Sequence, residues 1–200
     1  MHVCPAASLL LTACALLTST ARAAEPAGPA KYDVVLRGGT VIDGTGQPGH
    51  RADVGIRDGR IAAVGDLSGR AAETVIDAGK QIVCPGFIDL HSHADRGLIE
   101  HPAAENYVRQ GVTTLLCGNC GSSPTDLKTF FAALKKTGTG PNVVMLVGHG
   151  SVRQQVMGRL NAAPSPEQLD EMKTLVREAM QHGAVGLSTS LRYGPGTYAT

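Results

Sequence analysis

The pattern of hydrophobic and polar positions divides the chain into three stretches. Residues 6–17 are predominantly apolar and carry no charge. Between residues 31 and 85, short runs typical of β-strands alternate with tight turns, and the Asp58-Gly59 pair predicts a two-residue hairpin. From residue 86 onward, short apolar runs alternate with helical patterns at the spacing of βα units, which form parallel sheets covered by helices. The pattern predicts an α/β protein with a small β-domain in front.

Four strands and three helices are predicted in the second half of the chain. The strands fall at residues 86–90, 113–117, 142–147 and 185–188. The first helix has Pro102 near its start and Gly111 just after its end, and the second follows a capping signal that begins at Ser123. The third is capped by Ser165 and continues to Gly183. Four βα units can form an open sheet or half of a barrel.

Residues 1–23 are interpreted as an export signal that is removed from the mature protein. The apolar run is followed by Ala21, Arg22 and Ala23, whose two alanines are the small residues that a signal peptidase requires. The run is too short for a bilayer span, which needs about 20 residues. We therefore expect export to the periplasm without a membrane span, with residues 24–30 as a linker. The alternative is a lipoprotein signal, in which Cys14 would carry lipid.

The charge balance and the cysteines narrow the range of functions. With 18 Lys+Arg against 17 Asp+Glu, the chain has no basic field for nucleic acid and no polybasic stripe for an anionic membrane. A small molecule is the expected partner, and the sequence leaves the oligomeric state open. Without the signal, an odd set of cysteines remains in an oxidising compartment, namely Cys84, Cys117 and Cys120. A thiol that stays reduced there is expected to have a ligand.

The most informative segment is residues 83–93, which end in His91-Ser92-His93. In a strand, alternate side chains share a face, so His91 and His93 point the same way, about 6.5 to 7 Å apart along the backbone. Two neutral imidazoles so placed can converge on one zinc ion. In a parallel barrel, sites are built at the C-terminal ends of the strands, and this pair lies at such an end. The alternative is that both are surface or core histidines.

The sequence resembles the metal-dependent amidohydrolase superfamily. The resemblance rests on the Pro-Gly-Phe-Ile-Asp run before the two histidines and on residues 53–65 and 75–79 of the β-domain. It covers nearly everything from residue 31 to residue 200. It implies the N-terminal half of a TIM-like (β/α)8 metal-dependent hydrolase barrel, truncated, over residues 86–200. Part of a small β-sandwich domain, residues 31–85, precedes it.

Within that superfamily, three segments are similar to the N-acyl-D-amino-acid deacylases, also called D-aminoacylases. These are residues 111–121, 147–153 and 186–196. The Gly-Asn-Cys-Gly element implies that Cys120 binds metal beside His91 and His93, where many amidohydrolases use a carboxylated lysine. The resemblance also implies that Tyr193 contacts the substrate carboxylate. It implies one or two Zn²⁺ ions and zinc-dependent hydrolysis of N-acyl-D-amino acids to a carboxylate and a free D-amino acid.

The resemblance implies that the rest of the active site lies beyond Thr200. The family's acid-base aspartate follows the last barrel strand, and two more histidine ligands come from strands five and six. No catalytic acid-base residue is therefore identified in this chain, and these 200 residues alone are expected to be inactive.

Two further polar residues lie near the predicted strand ends. His149 follows the third strand of the barrel, so it should reach the same rim and act behind the metal ligands or on the substrate. The alternative is a structural histidine. Asp95 either orients a ligand histidine from behind or is a solvated loop acid.

Three other functions remain open on these residues. Another amidohydrolase, a cyclic amidase of the hydantoinase or dihydroorotase kind or a dipeptidase, would share His91 and His93. A periplasmic metal- or solute-binding protein would account for the export signal and the histidines. A redox protein would cycle Cys117 and Cys120 between thiols and a disulfide.

Overall fold

The computed structural model describes residues 31–199, which form two compact units divided between Val83 and Cys84. The predicted export signal and linker, residues 1–30, lie outside the described residues. Across residues 31–199, no helix is both long enough and apolar enough to cross a bilayer.

The first unit is a five-stranded mixed sheet. Its strands are β1 (Tyr32–Val41), β2 (His50–Arg57), β3 (Arg60–Gly65), β4 (Ala72–Asp77) and β5 (Ile82–Val83). The sheet order is β3-β2-β1-β4, and β5 also pairs with β1. The predicted hairpin is confirmed: Asp58 and Gly59 join β2 to β3 and both have positive φ, as a tight turn of this kind requires.

A buried carboxylate fixes the bulge in β1. The register between β1 and β2 shifts between Leu36 and Gly39. Asp53 accepts hydrogen bonds from the backbone N–H of Gly38 at 2.7 Å and of Leu67 at 3.1 Å, and it pairs with Arg37 at 3.1 Å. Because the buried acid has three donors, its charge is compensated where the strand bends.

The second unit is an all-parallel sheet with helices between its strands. The strands are β6 (Phe87–Asp89), β7 (Val112–Cys117), β8 (Asn142–Gly148) and β9 (Ala184–Ser188), paired in that order. The helices are α1 (Glu105–Val108), α2 (Leu127–Thr137), α3 (His149–Met157) and α4 (Pro166–Gln181). The predicted βα alternation with a parallel sheet is confirmed.

The core of this unit lies between the two central strands and the helices. Leu115 and Cys117 of β7 and Met145 and Val147 of β8 are fully buried. The helices contribute the buried residues Leu127, Phe130, Leu134, Met172 and Ala179. Leu127, Phe130 and Leu134 form the buried face of α2, and the parity of β7 and β8 sends one row of side chains into the core.

The first predicted helix is wrong in its length. The pattern favours a helix from about Pro102 to the residue before Gly111, whereas α1 has a single turn. Ala104 adopts a left-handed conformation (φ 44°), and the N–H of Gly140 donates to the carbonyl of Pro102 at 2.8 Å. The contact with the Gly140 loop holds this segment out of helical geometry, so the tertiary structure overrides the local pattern.

Two other helix starts differ from the sequence prediction. The cap of α2 is Asp126, which accepts from the N–H of Thr129 at 3.0 Å, while the hydroxyl of Ser123 accepts instead from Gly148. The helix α3 was not predicted at all. It contains Gly150, although glycine is a poor helix former. Glycine is required at this position because a Cβ would lie 2.8 Å from the carbonyl oxygen of Gly121. The predicted cap at Ser165 is confirmed, with both bonds of a capping box.

Candidate metal centre

His91, His93 and Cys120 lie together at the carboxyl ends of two neighbouring parallel strands. Their potential ligand atoms are all within 4.8 Å of one another. Nε2 of His91 lies 3.3 Å from Sγ of Cys120, and the two imidazole rings are 5.6 Å apart at an angle of 71°. The sequence pattern favoured the two histidines, the family resemblance implied Cys120, and the fold brings all three together.

His91 and His93 lie two and four residues after the end of β6 and are not part of its regular pairing. The N–H of Ser92 still donates to the carbonyl of Leu116 at 3.0 Å, and the N–H of His91 donates to the side chain of Asp89 at 2.9 Å. Ser92 itself is buried. The fold therefore buries Ser92 and places both imidazoles beside Cys120.

The donor set fits a zinc ion. Two imidazole nitrogens and one thiolate are ordinary zinc ligands, and bond lengths of about 2.0 to 2.3 Å place donors around a tetrahedral ion about 3.3 to 3.7 Å apart. The present spacing needs only small side-chain movements to reach that geometry. In addition, Nδ1 of His93 is buried and has no hydrogen-bond partner among residues 31–199. A buried polar atom of this kind calls for a ligand.

Hydrogen bonds from two side chains hold the loop that carries Cys120. Cys120 has φ of 56°, which is uncommon for a residue with a side chain. The hydroxyl of Ser188, at the end of β9, donates to the carbonyl of Gly118 and accepts from the N–H of Gly121 at 3.0 Å. The amide of Asn119 donates to the carbonyl of Ser92 at 3.2 Å. The backbone on both sides of the thiol is thus fastened, and one bond joins it to the histidine segment.

Removing the Ser188 hydroxyl is expected to weaken metal binding. In Ser188→Ala the carbonyl of Gly118 and the N–H of Gly121 lose their partner, so the loop can leave the geometry that presents Cys120. We expect a loss of about 10- to 100-fold in zinc affinity, the usual effect of removing a group that orients a ligand. Competition with a chromophoric chelator measures this affinity in the full-length protein.

Two matched variants make the Ser188 result specific. Ser188→Thr keeps the hydroxyl and should restore most of the affinity. Thr139→Val removes a hydroxyl that donates to the carbonyl of Pro141 at 2.8 Å, far along the chain from the cluster, and should leave the affinity unchanged. Equal affinities in the wild type and in Ser188→Ala would show that this hydroxyl does not position Cys120.

The two cysteines of the C-x-x-C segment lie in different surroundings. Cys117 ends β7, is fully buried in the core, and has a pKa raised mainly by that burial. Cys120 is partly exposed and lines a cavity. Cys84, Cys117 and Cys120 are all free thiols. Among these three described cysteines, only Cys120 has the access and the imidazole neighbours that a metal ligand needs.

The cluster opens into a cavity of about 470 Å³ at the carboxyl edge of the sheet. His93, Cys120 and Tyr193 all line it, so the loops after β6, β7 and β9 meet there. The backbone of Gly148 allows the loop after β7 to approach β8, because a Cβ on Gly148 would lie 2.5 Å from the carbonyl carbon of Gly121. The side chain of Tyr193 is 59% exposed and available to a ligand.

The other two predicted residues lie beside this cavity and do not line it. His149 is the first residue of α3, where Nδ1 lies 3.1 Å from the hydroxyl oxygen of Thr189, and it lines a separate cavity of about 360 Å³. Burial lowers the pKa of His149, and the nearby Arg153 lowers it further. One carboxylate oxygen of Asp95 is buried without a hydrogen-bond partner within the described part of the chain. The proposed roles of both residues remain predictions.

The cavity also contains a charged residue, Arg96, that no sequence pattern singled out. Arg96 lines the cavity beside His93 and Cys120. It is the last residue of a 3-10 turn, Ala94–Arg96, that begins immediately after His93. A single arginine in a loop is usually a solvated surface residue. The sequence does not show that this turn brings Arg96 to the cavity wall, and the structure is needed to place it there.

Comparison with known proteins shows close relatives. The D-aminoacylase of Alcaligenes xylosoxydans xylosoxydans is 40% identical over 192 residues, which cover 84% of this chain and 40% of that protein. The N-acyl-D-glutamate deacylase of the same organism is 41% identical over 191 residues, covering 84% and 39% of the two chains. The chain thus spans about two fifths of the length of these relatives.

A solved structure shares the fold. The N-acyl-D-glutamate deacylase of Bordetella bronchiseptica, crystallised with zinc and a phosphonate inhibitor, superposes with a TM-score of 0.82 at 39% identity, covering 86% of this chain and 41% of that one. This similarity confirms the fold class predicted from the sequence, the first part of a hydrolase barrel preceded by a small β-domain. Residues 74–200 match the sequence profile of the amidohydrolase family. This match covers more than half of the 200 residues of the chain, and the chain therefore belongs to the amidohydrolase family.

Proposed function

We propose that this chain is part of a zinc-dependent hydrolase that cleaves N-acyl-D-amino acids to a carboxylate and a free D-amino acid. One observation carries the proposal: two imidazoles and a thiol form a cluster, and two of its residues, His93 and Cys120, lie on the wall of the cavity that Tyr193 also lines. The similarity to a D-aminoacylase and an N-acyl-D-glutamate deacylase supports the choice of substrate.

His91, His93 and Cys120 would hold the metal. When bound, Zn²⁺ would supply Lewis acidity, which polarises an amide carbonyl and lowers the pKa of water so that the attacking hydroxide is available near neutral pH. Cys120 gives the centre a negative charge that the imidazoles cannot give, and the deprotonated thiolate is the form that binds. Whether one or two ions are held is a matter for metal analysis of the purified protein.

The remaining groups would bind and orient the substrate. The phenol of Tyr193 can donate a hydrogen bond to the substrate carboxylate, and its exposure leaves this group free to do so. Transfer of a proton to the departing amine requires an acid-base group. We place this group, an aspartate, and two further histidine ligands in the part of the protein that follows Thr200.

Replacement of Tyr193 by phenylalanine is expected to affect binding more than chemistry. The variant loses a hydrogen bond to a charged group that is present in both the bound substrate and the transition state, so KM should rise about tenfold while kcat changes little. Steady-state kinetics on an N-acyl-D-amino acid measures both. Tyr198→Phe is the control, because Tyr198 does not line the cavity. A loss confined to kcat would contradict this role for Tyr193.

The activity itself is tested with the full-length protein loaded with zinc. We expect hydrolysis of N-acetyl-D-amino acids, none after chelation of the metal, and little or none of the L-enantiomers. Faster hydrolysis of a cyclic imide or a dipeptide would favour the other amidohydrolase activities. Binding of zinc or solute without any turnover would favour a periplasmic binding protein.

We also propose that the protein is exported to the periplasm, on the basis of residues 1–23. The mature chain is expected to begin near Ala24, where the two alanines of Ala21-Arg22-Ala23 meet the requirement of the signal peptidase. Mass spectrometry of the protein from a periplasmic extract determines its N-terminus. A lipid-modified N-terminus at Cys14 would contradict cleavage near Ala24 and show a lipoprotein instead.

A further inference from the structure

Within the described residues, the cavity wall carries one permanently charged side chain, that of Arg96. No Asp, Glu or Lys from residues 31–199 lines this cavity. The guanidinium stays charged at every physiological pH. It therefore contributes a positive charge to the cavity wall before any metal is bound, and a zinc ion would add to this charge.

The guanidinium of Arg96 forms no ion pair with the described residues. The four ion pairs formed by the described residues involve other side chains. Its one hydrogen bond runs from Nη2 to the hydroxyl of Ser122 at 3.5 Å, which is long for such a bond. Most of its five N–H donors thus remain available to a ligand.

Several polar residues surround Arg96 on the cavity wall. Four residues whose side chains can donate hydrogen bonds line the cavity beside Arg96, namely Ser122, Ser151, Gln154 and Ser190. Hydrogen-bond donors of this kind match a carboxylate, whereas an aliphatic side chain would gain little contact from them and would leave the guanidinium unpaired. The chemistry of the wall therefore complements a second negative group besides the carboxylate that Tyr193 would bind.

We propose that the site selects N-acyl-D-amino acids whose side chain carries a carboxylate, and that Arg96 binds this carboxylate. The proposal rests on the deacylase function proposed above. An arginine can pair with a carboxylate through two parallel N–H bonds, which adds geometric selectivity to the charge. Arg96 follows His93 by three residues, so the backbone that places a metal ligand also fixes the distance between the reacting bond and the acidic side chain.

The test compares two substrates in the zinc-loaded, full-length protein, N-acetyl-D-glutamate and N-acetyl-D-leucine. The wild type should prefer the glutamate derivative, and Arg96→Leu should lower the ratio of the two kcat/KM values by about 10- to 100-fold, mainly through KM for the acidic substrate. Arg96→Lys should retain part of the preference, because it keeps the charge and loses the fork of donors. Calorimetric binding of free D-glutamate should weaken by a similar factor in Arg96→Leu.

Arg192→Leu is the matched control. It removes the same charge next to Tyr193, but Arg192 does not line the cavity, so the substrate ratio should not change. If Arg96→Leu and Arg192→Leu lowered the substrate ratio equally, general electrostatic attraction would explain the result, and the assignment of Arg96 would be overturned. An equal loss on both substrates in Arg96→Leu would show that Arg96 binds the carboxylate common to all of them, which also overturns it.

The outcome distinguishes this inference from the proposed function. If the wild type hydrolyses neither substrate, the deacylase function fails, and the calorimetric comparison still reports on Arg96. If it hydrolyses both and Arg96→Leu leaves their ratio unchanged, the function stands and the inference is wrong. Thermal unfolding of each variant shows whether the protein remains folded.

Discussion

Replacing Cys120 with alanine is expected to remove most of the bound zinc and to lower activity about a hundredfold or more, whereas Cys117→Ala should affect neither strongly. Sγ of Cys120 lies 3.3 Å from Nε2 of His91 and faces the cavity. Loss of a group that merely orients a ligand costs about 10- to 100-fold, so loss of a ligand should cost at least as much. Metal analysis and deacylase kinetics of the full-length variants measure the two effects.

The contrast between the two cysteines makes this experiment decisive. Cys117 is fully buried against the core, so its replacement should lower the free energy of unfolding by about 1 to 2 kcal/mol through lost packing, with the metal retained. A redox pair would behave differently, because each cysteine would be needed and both variants would lose the same function. Equal losses of activity in Cys117→Ala and Cys120→Ala would therefore contradict a metal-ligand role for Cys120 alone.

Replacing Gly118 with alanine should prevent or severely weaken folding of the second unit. Gly118 has φ of 78°, and a Cβ there would lie 2.0 Å from the carbonyl oxygen of Leu146. Leu146 lies in β8, and the backbone of this central strand cannot move away without breaking its pairing with β7 and β9. We expect a loss of more than about 4 kcal/mol in the free energy of unfolding, the range of the most disruptive substitutions. Denaturant unfolding of the full-length protein measures it.

Gly138→Ala provides the control for the conformational part of this loss. Gly138 has nearly the same φ, 75°, but a Cβ there would meet nothing within 4 Å. Its ψ is 164°, a backbone region that glycine occupies almost alone, so its replacement should cost about 1 to 3 kcal/mol through backbone strain. Similar losses in the two variants would show that the contact with Leu146 does not restrict position 118.

The sequence predicts the metal-binding part of the site better than the rest of the cavity. His91 and His93 follow a strand at a spacing of two, so parity alone places them on one side, and the structure brings them together. Cys120 could be assigned only through the resemblance to a family. Its position depends on the pairing of β6 with β7, which no local pattern reveals.

The features that the sequence did not reveal depend on contacts between distant segments. Ser188 is separated from Gly118 by 70 residues, and no rule of spacing connects a serine at the end of one strand with the loop after another. Helix α3 was missed because Gly150 lowers helical propensity, although the approach of Gly121 requires a glycine there. Helix α1 was predicted too long because the Gly140 loop holds Pro102 in a different conformation.

The most direct test of the central claim is a crystal structure of the zinc-loaded, full-length protein with anomalous data collected at the zinc absorption edge. We expect an anomalous peak about 2.0 to 2.3 Å from an imidazole nitrogen of His91, an imidazole nitrogen of His93 and Sγ of Cys120. A disulfide between Cys117 and Cys120, or a zinc ion held by other residues with the three side chains unbound, would contradict the account.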